Sequence, residues 1–544
     1  MKRTLAVILI FLMASLLMSC TTDEVEIEEV IQDLTYNETQ EEVDEDEIEG
    51  NEEIEEEIEI SQYITIQGEK FSTNLTILDL SHMDLTNEDI EPLRYMVNLR
   101  ELDLSNNELS DITPLTYLVD LYELNLGYNR LYDITLLPCL GNLSVLNLNQ
   151  NRLDDITPLT SLVNLSELYL RNNRIRDIEP LANLTGLRHL CLYSNEINDI
   201  APLASLVDLT GLRVGFNQIR DITSLSGLTK LEELWLEGNH IYDIEALKDL
   251  TLLDRLVLDD NMIEDITSLS YLTELTILAL NGNRIYDLSP LVDLTNLQTL
   301  ALERNQIVDI TPLSNMTDLV GLFLGQNLID DFTLLENFLN LERLGLTNSN
   351  FVDFTILSEM TNLESLILSD NEIVDLMPLT NLTNLTFLSL MNNQIIDISP
   401  LSEMTNLNVL ILSRNEIIDL TPVASLTNLT YLSLWDNQIT DITLLVGLIY
   451  LEHLNLAENQ IIDITPLTGM IYLEFLGLSD NQIIDINPLA GLINLERLTM
   501  QNNQILDVTP LAGLVNLRSL RVGQNGIEDL SPLDHLENLH IHKF

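Results

Sequence analysis

Leu99-x-x-Leu102-x-Leu104-x-x-Asn107-x-Leu109-x-Asp111-Ile112-x-Pro114-Leu115-x-x-Leu118 is one copy of a unit that returns every 22 residues through most of a 544-residue chain. Its Asn slot recurs at 107, 129, 151, 173, 195 and onward to 525, twenty positions in fixed register, and Ser349 is the only substitute. An earlier unit, Leu75-x-x-Leu78-x-Leu80, puts Met83 in that slot, 24 residues upstream. A fixed period of this length is the signature of stacked coils, each burying its apolar side against its neighbours.

Each part of the unit has a physical task. Leu-x-x-Leu-x-Leu alternates inward apolar and outward variable residues, the pattern of a half-buried strand. The Asn turns the chain out of the strand, and its amide can satisfy backbone groups inside the core, where an unpaired group is costly. The following Ile-x-Asp-Ile-x-Pro-Leu closes the coil. Thr113-Pro114 reads as an N-cap followed by proline at the first helical position, and Pro fills this slot in 13 of the 20 repeats. Only about ten residues remain before the next strand, so the return is predicted to be a short 3₁₀ turn. Short turns predict a gently bent array.

Asp stands four residues after the Asn slot in all 20 repeats, from Asp111 to Asp529. Stacking places these carboxylates in a row about 5 Å apart. Their repulsion must be offset, either by backbone N–H groups at the start of each turn or, as the sharper alternative, by a ladder of metal ions.

The unit resembles the internalin-type, 22-residue leucine-rich repeat, with its Asn-x-Ile-x-Asp-Ile-x-Pro-Leu stretch. The resemblance covers nearly everything after residue 75, and Leu78 to Ile90 resembles the first repeat of such arrays. It implies an α/β leucine-rich repeat solenoid of about 21 repeats, with one curved parallel β-sheet on the concave face and 3₁₀ turns on the convex side. Such a ribbon spans roughly 100 Å. The sequence shows neither a Leu-Pro-x-Thr-Gly sorting signal nor an immunoglobulin-like domain. The resemblance therefore carries a binding scaffold and not host-cell invasion.

The N-terminus reads as an address. Lys2 and Arg3 precede an apolar run, Leu5 to Leu17, which has the shape of a secretory signal and is short for a membrane span. Leu17-Met18-Ser19-Cys20 resembles the bacterial lipobox, which implies cleavage before Cys20 and lipid on its sulfur; several acyl chains anchor stably where one does not. Residues 23–60 hold 20 Asp or Glu and no Lys or Arg, the composition of an extended acidic tether. The expected organisation is a signal at 1–19, a lipid-anchored linker at 20–60, an N-terminal cap and atypical repeat at 61–98, regular repeats at 99–538, and a truncated strand at 539–544. The expected location is a bacterial cell envelope, outside the cytoplasmic membrane. The partial last unit predicts an incompletely covered end and weak end-to-end dimerisation.

The net charge of −63 argues against nucleic acid, because phosphate binding needs Lys and Arg to release counterions. It argues equally against docking on anionic lipid through a basic patch. Seven His are scattered, none at a spacing with Cys, Asp or Ser that suggests a triad or zinc site, and no metal or cofactor is expected. Cys139 and Cys191 fall on opposite sides of the coil and are expected as free thiols. The reading is a binding protein and not an enzyme.

The outward strand positions lie two, four and six residues before each Asn. Both tryptophans fall there. One candidate partner-binding cluster joins Tyr169, Arg171, His189, Tyr193, Arg213, Trp235, Glu237 and Arg255; its mixed charge suggests a polar or acidic epitope. A second joins Ile367, Phe387, Met391, Val409, Ile411, Tyr431, Trp435 and Phe475, and suggests a hydrophobic segment or a second copy. Exposed aromatics and Arg are the residues of binding hot spots. The bland alternative is that they only pack on each other across strands. The expected partner is a protein, met at the surface as by an adhesin, or else a protein or polymer of the same cell met by an envelope scaffold or regulator.

Overall fold

The computed structural model describes residues 62–351 and 354–542; the signal, Cys20 and the acidic tether lie outside them. An antiparallel hairpin, Tyr63–Ile66 with Glu69–Ser72, comes first, and its Ile64 and Ile66 are buried in the same core cluster as the repeats. Parallel strands of three residues follow, from Ile77–Asp79 to His540–His542. There are 22 of them in one sheet, each paired in register with the next, as in Leu102↔Leu124 and Leu520↔Ile541. The first and the last strand each pair with one neighbour, so the ribbon is open. Every return carries a 3₁₀ turn, such as Thr113–Tyr117 or Asn487–Gly491, and no α-helix occurs among the described residues. The expected sheet and turns are therefore present.

The period dictates the core. Leu102, Leu104, Leu109, Leu115, Leu118 and Leu121 are essentially inaccessible, and so are their equivalents in the later repeats up to the last. The Asn column supplies the polar half of the same layer. Asn283 Nδ2 donates to the carbonyls of Leu258, Leu280 and Asn281 at 2.9, 3.1 and 3.2 Å, and its Oδ1 accepts the amide of Ile263 at 3.0 Å. One side chain thus closes its own turn and ties it to the preceding coil. Ser349 cannot reach back, and its hydroxyl donates only to its own Leu346 carbonyl, at 2.8 Å. There an aromatic group fills the layer instead, with the Phe332 and Phe351 rings 4.8 Å apart.

The residue before each Asn is left-handed, from Asn106 at φ 56° to Gln524 at φ 55°. Glycine holds this place only at Gly238 and Gly282; elsewhere residues as large as Phe216 and Arg304 accept a backbone that costs roughly 1–2 kcal/mol. The Asn bonds on either side hold the turn in that state.

The Asp column caps the turns. Asp111 Oδ1 accepts the Thr113 amide at 2.8 Å, and Asp485 does the same for Asn487 at 2.9 Å. This corrects the expected Thr113 cap: the cap position is Ile112, which has no side-chain oxygen, and the acceptor is the aspartate one residue earlier. Hydrogen bonds from Thr421, Thr465 and Thr509 hold Asp419, Asp463 and Asp507 below the usual carboxylate range. Backbone donors offset the column's repulsion, the first of the two expected solutions.

At the C-terminal end Ile527, Leu530, Leu536, Leu539 and Ile541 are only half-buried, where their equivalents inside the array are fully covered.

Asn283→Ala leaves the buried Ile263 amide without its acceptor, at about 1–3 kcal/mol, and cuts the tie to the Leu258 carbonyl of the neighbouring coil, which keeps Asn261 as a donor, whereas Asp287→Ala removes a cap, about 1 kcal/mol. Urea unfolding of the two variants should show the larger loss for Asn283→Ala; equal losses would contradict the assigned roles.

Candidate functional site

Strands of this register leave three outward side chains per repeat on the open face of the sheet, opposite the core. Every candidate residue lies on that face, as expected, but the two clusters are built differently from what exposure alone predicted.

The first cluster is a network of flat-lying polar groups. The Arg171 guanidinium lies 5.0 Å from the Tyr193 ring centre, and that of Arg213 4.9 Å from the Trp235 ring centre. Tyr169 donates to Glu167 at 2.7 Å. Arg213 and Arg255 both reach Glu233, at 3.4 and 3.1 Å. His189 and Arg213 remain exposed. Glu237 does not: it is 2% accessible, with its carboxylate folded over Gly215, where a Cβ would come within 2.8 Å of it. Its burial corrects its assignment as an exposed contact residue. Cys191 lies between Tyr169 and Arg213 in the adjoining strands, and its burial raises the thiol above the ordinary range against the opposing pull of Arg213; Cys139 is an exposed free thiol.

Sequence reasoning missed the continuation of this network. Asp259, Asn281 and Glu303 follow Glu237 at the same outward position in successive repeats. Asp259 accepts the Asn281 amide at 2.6 Å, and Asn281 accepts the Glu303 amide at 2.7 Å. Burial pushes Glu237 and Glu303 up to about 7 and Asp259 up to about 8. At the opposite end of these strands, where the chain enters them, an open acidic trough is lined by Glu232, Asp254, Glu274 and Asp318.

The second cluster is an apolar column in single file. Phe387, Val409, Tyr431, His453, Phe475 and Arg497 face one another in successive strands. The Tyr431, His453 and Phe475 rings are stacked nearly parallel, 4.1 and 4.2 Å between centres. The Arg497 guanidinium closes the column 5.7 Å from Phe475. His453 is one of the seven scattered histidines, and its register between Tyr431 and Phe475 is the sequence signal for its place in the column. Burial, with Arg497 adding, lowers it to about 3, so the ring is neutral and joins the stack as an aromatic. Ile367, Phe387 and Val409 are buried, 3, 7 and 9% accessible, because these outward side chains pack on one another. Their burial corrects their assignment as exposed contact residues. Met391, Ile411, Tyr431, Trp435 and Phe475 keep part of their surface. Trp435 lies 4.5 Å from the Arg414 guanidinium and donates to Glu458 at 3.0 Å.

Such a face offers aromatic and guanidinium surfaces held rigid by the strands below. Among the described residues no group of three or more His, Cys, Asp or Glu is disposed to hold a metal ion, and no helix is long and apolar enough to cross a membrane.

One continuous parallel sheet, a buried Leu and Asn framework and a variable open face define a leucine-rich repeat solenoid. The family description "Leucine Rich repeats (2 copies)" matches repeatedly between residues 73 and 513, including 73–117, 141–183, 273–315 and 361–403. The chain belongs to the leucine-rich repeat family, and its similarity to internalins places it among the internalin-like members. It is 32% identical to the internalin InlF of Listeria monocytogenes over 66% of this chain and 88% of that one, with a TM-score of 0.37. It is 34% identical to internalin C2 of the same organism over 38% of this chain and 84% of that one, with a TM-score of 0.31. The ectodomain of the Arabidopsis thaliana receptor kinase GASSHO1/SCHENGEN3, solved with CASPARIAN STRIP INTEGRITY FACTOR 2, shares the fold at 23% identity, covering 84% of this chain and 65% of that one, with a TM-score of 0.53. A search of the curated proteins finds no match.

The raised carboxylates make stability depend on pH. A carboxylic acid whose folded value lies above its unfolded one favours the folded state below the unfolded value. It loses that advantage as pH rises through the folded value, by about 1.4 kcal/mol for each tenfold difference between the two dissociation constants. The window from pH 6 to 9 spans the raised values of Glu237, Glu303 and Asp259. Over that window the melting temperature of the wild type should fall, and that of Glu237→Gln/Asp259→Asn/Glu303→Gln should fall distinctly less. Parallel profiles would contradict the protonated row.

Proposed function

We propose that this chain is a protein-binding scaffold anchored at a bacterial surface through lipid on Cys20, in the manner of an adhesin, and that its partner docks on the open face of the sheet. The observation that carries the reading is the column Tyr431–His453–Phe475 ending on Arg497. Side chains that bury only one another across strands need no guanidinium at the end and no Trp435 beside them. A rigid aromatic slab rimmed by Arg414 and Arg497 has the composition of an interface hot spot. The partner presents an apolar or aromatic segment to this slab and a polar surface, with acidic groups for Arg171 and Arg213, to the first cluster. The ordered strands beneath both regions reduce the entropy lost on binding. The acidity keeps the array soluble and disfavours anionic polymers.

The reading is tested by capturing surface proteins of candidate target cells on the immobilised chain. Tyr431→Ser/Trp435→Ser should lower the yield of the specific partner tenfold or more with an unchanged melting profile; undiminished capture would remove this face from the site. Anchoring is tested separately, by protease treatment of intact cells. Digestion of the array with release of solenoid fragments is expected; protection until the cells are broken would favour a scaffold facing the cell's own envelope.

A further inference from the structure

A second surface lies on the flank where the chain leaves each strand, away from the open face. The residue three after each Asn is solvent-exposed in every described repeat from Tyr132 onward. In the N-terminal half this column carries Asp154, Arg176, Asn198, Arg220 and Glu264 among scattered tyrosines. The fold therefore sets no requirement for an aliphatic residue there. From residue 374 the same column reads Val374, Ile396, Ile418, Thr440, Ile462, Ile484 and Leu506, seven successive repeats with six aliphatic side chains. Each of the six is between 54 and 67% accessible. With strands spaced by about 4.8 Å, the stripe runs for about 30 Å. Isolated apolar residues on a surface are ordinary, but a straight run of them is a mark of interaction.

The neighbouring columns say what kind of partner fits. On one side stands the row Asp375, Asp397, Asp419, Asp441, Asp463, Asp485 and Asp507, all exposed, with carboxylates already held by turn amides, as at Asp419 and Asp463. On the other side are Glu372, Gln394, Glu416, Gln438, Gln460, Gln482 and Gln504, also exposed. The stripe is thus an aliphatic ridge with an aspartate row along one side and mostly uncharged amides along the other. A second copy of the chain would set one aspartate row against another. An anionic membrane would be repelled by the same row. A segment with an apolar stripe and basic flanks meets both features.

We propose that this flank docks a basic amphipathic α-helix of another protein, its apolar stripe lying along Val374 to Leu506 and its Lys or Arg side chains reaching the aspartate row. A helix repeats its apolar face every 5.4 Å, close to the spacing of the repeats, so about six turns match the ridge. The surface is separate from the open face, and neither proposal depends on the other.

The test uses the full chain and a synthetic helical peptide of Leu and Lys, with Leu on one face, beside a control in which Ser replaces Leu. The wild type should bind the Leu peptide at least about tenfold more tightly than the control. Ile396→Thr/Ile418→Thr/Ile462→Thr/Ile484→Thr should erase that difference, since Thr440 already shows Thr accommodated in the column. Ile418→Asp introduces the residue type that Asp330 already carries in the same column; it should weaken binding alone and gives a second variant if the first folds poorly. Tyr431→Ser/Trp435→Ser should bind the peptide as the wild type does. Equal binding of both peptides, or wild-type binding by both flank variants, would overturn the proposal. So would a wild-type dimer, or binding to phosphatidylcholine vesicles, that the fourfold variant abolishes.

Discussion

The Asn carboxamide is the interaction on which the rest of the architecture depends. Apolar burial alone would bring these coils together, but it would not fix their register, because Leu and Ile layers can slide over one another. The amide can do what they cannot. It accepts one backbone N–H and donates to carbonyls of two coils, as Asn173 does with the Leu153 amide and with the Leu148 and Leu170 carbonyls. With that pattern repeated from Asn107 to Asn525, interrupted at Ser349, the frame is held from inside and requires no particular residue at the outward positions. Those positions are then free to differ from repeat to repeat, and the surface can carry an aromatic stack, a run of acids with raised values and an aliphatic ridge on one unchanged frame.

Much of this was legible in the sequence because the frame is periodic. A 22-residue spacing of Leu, Asn and Asp admits few folds, and it specified the parallel sheet, the short turns and the side on which each residue stands. The left-handed residue before each Asn left no trace. Tyr128, Phe216, Arg304 and Glu458 all adopt that backbone, so the constraint comes from the flanking bonds and not from the residue. The turn cap read at Thr113 belongs two residues earlier, at Asp111, for a related reason. Asp and Thr are both good acceptors, and only the geometry shows that the aspartate reaches the amide two residues on while its threonine follows.

Position on a face was readable; exposure on that face was not. Ile367, Phe387 and Val409 point away from the core and are nonetheless buried, because their neighbours in adjacent strands cover them. Glu237 disappears for a different reason, since the missing side chain at Gly215 opens a slot for its carboxylate. His453 was passed over because it was weighed alone along the chain, whereas its partners Tyr431 and Phe475 lie one coil to either side. In a solenoid the informative neighbour is the residue 22 positions away, and the flank ridge emerges only when columns are compared down the whole array.

If the Asn column, and not strand pairing alone, locks each coil to the next, its backbone donors must be protected. Amide hydrogen exchange on the full chain tests this directly at residues whose N–H donates to an Asn side chain, among them Leu109, Leu131, Ile175, Ile263, Ile395 and Ile505. These amides lie outside every strand, and they are expected to exchange as slowly as the strand amides of Leu124 or Leu454. Exchange there at the rate of open loop amides, with the strands still protected, would contradict the locking role of the Asn column.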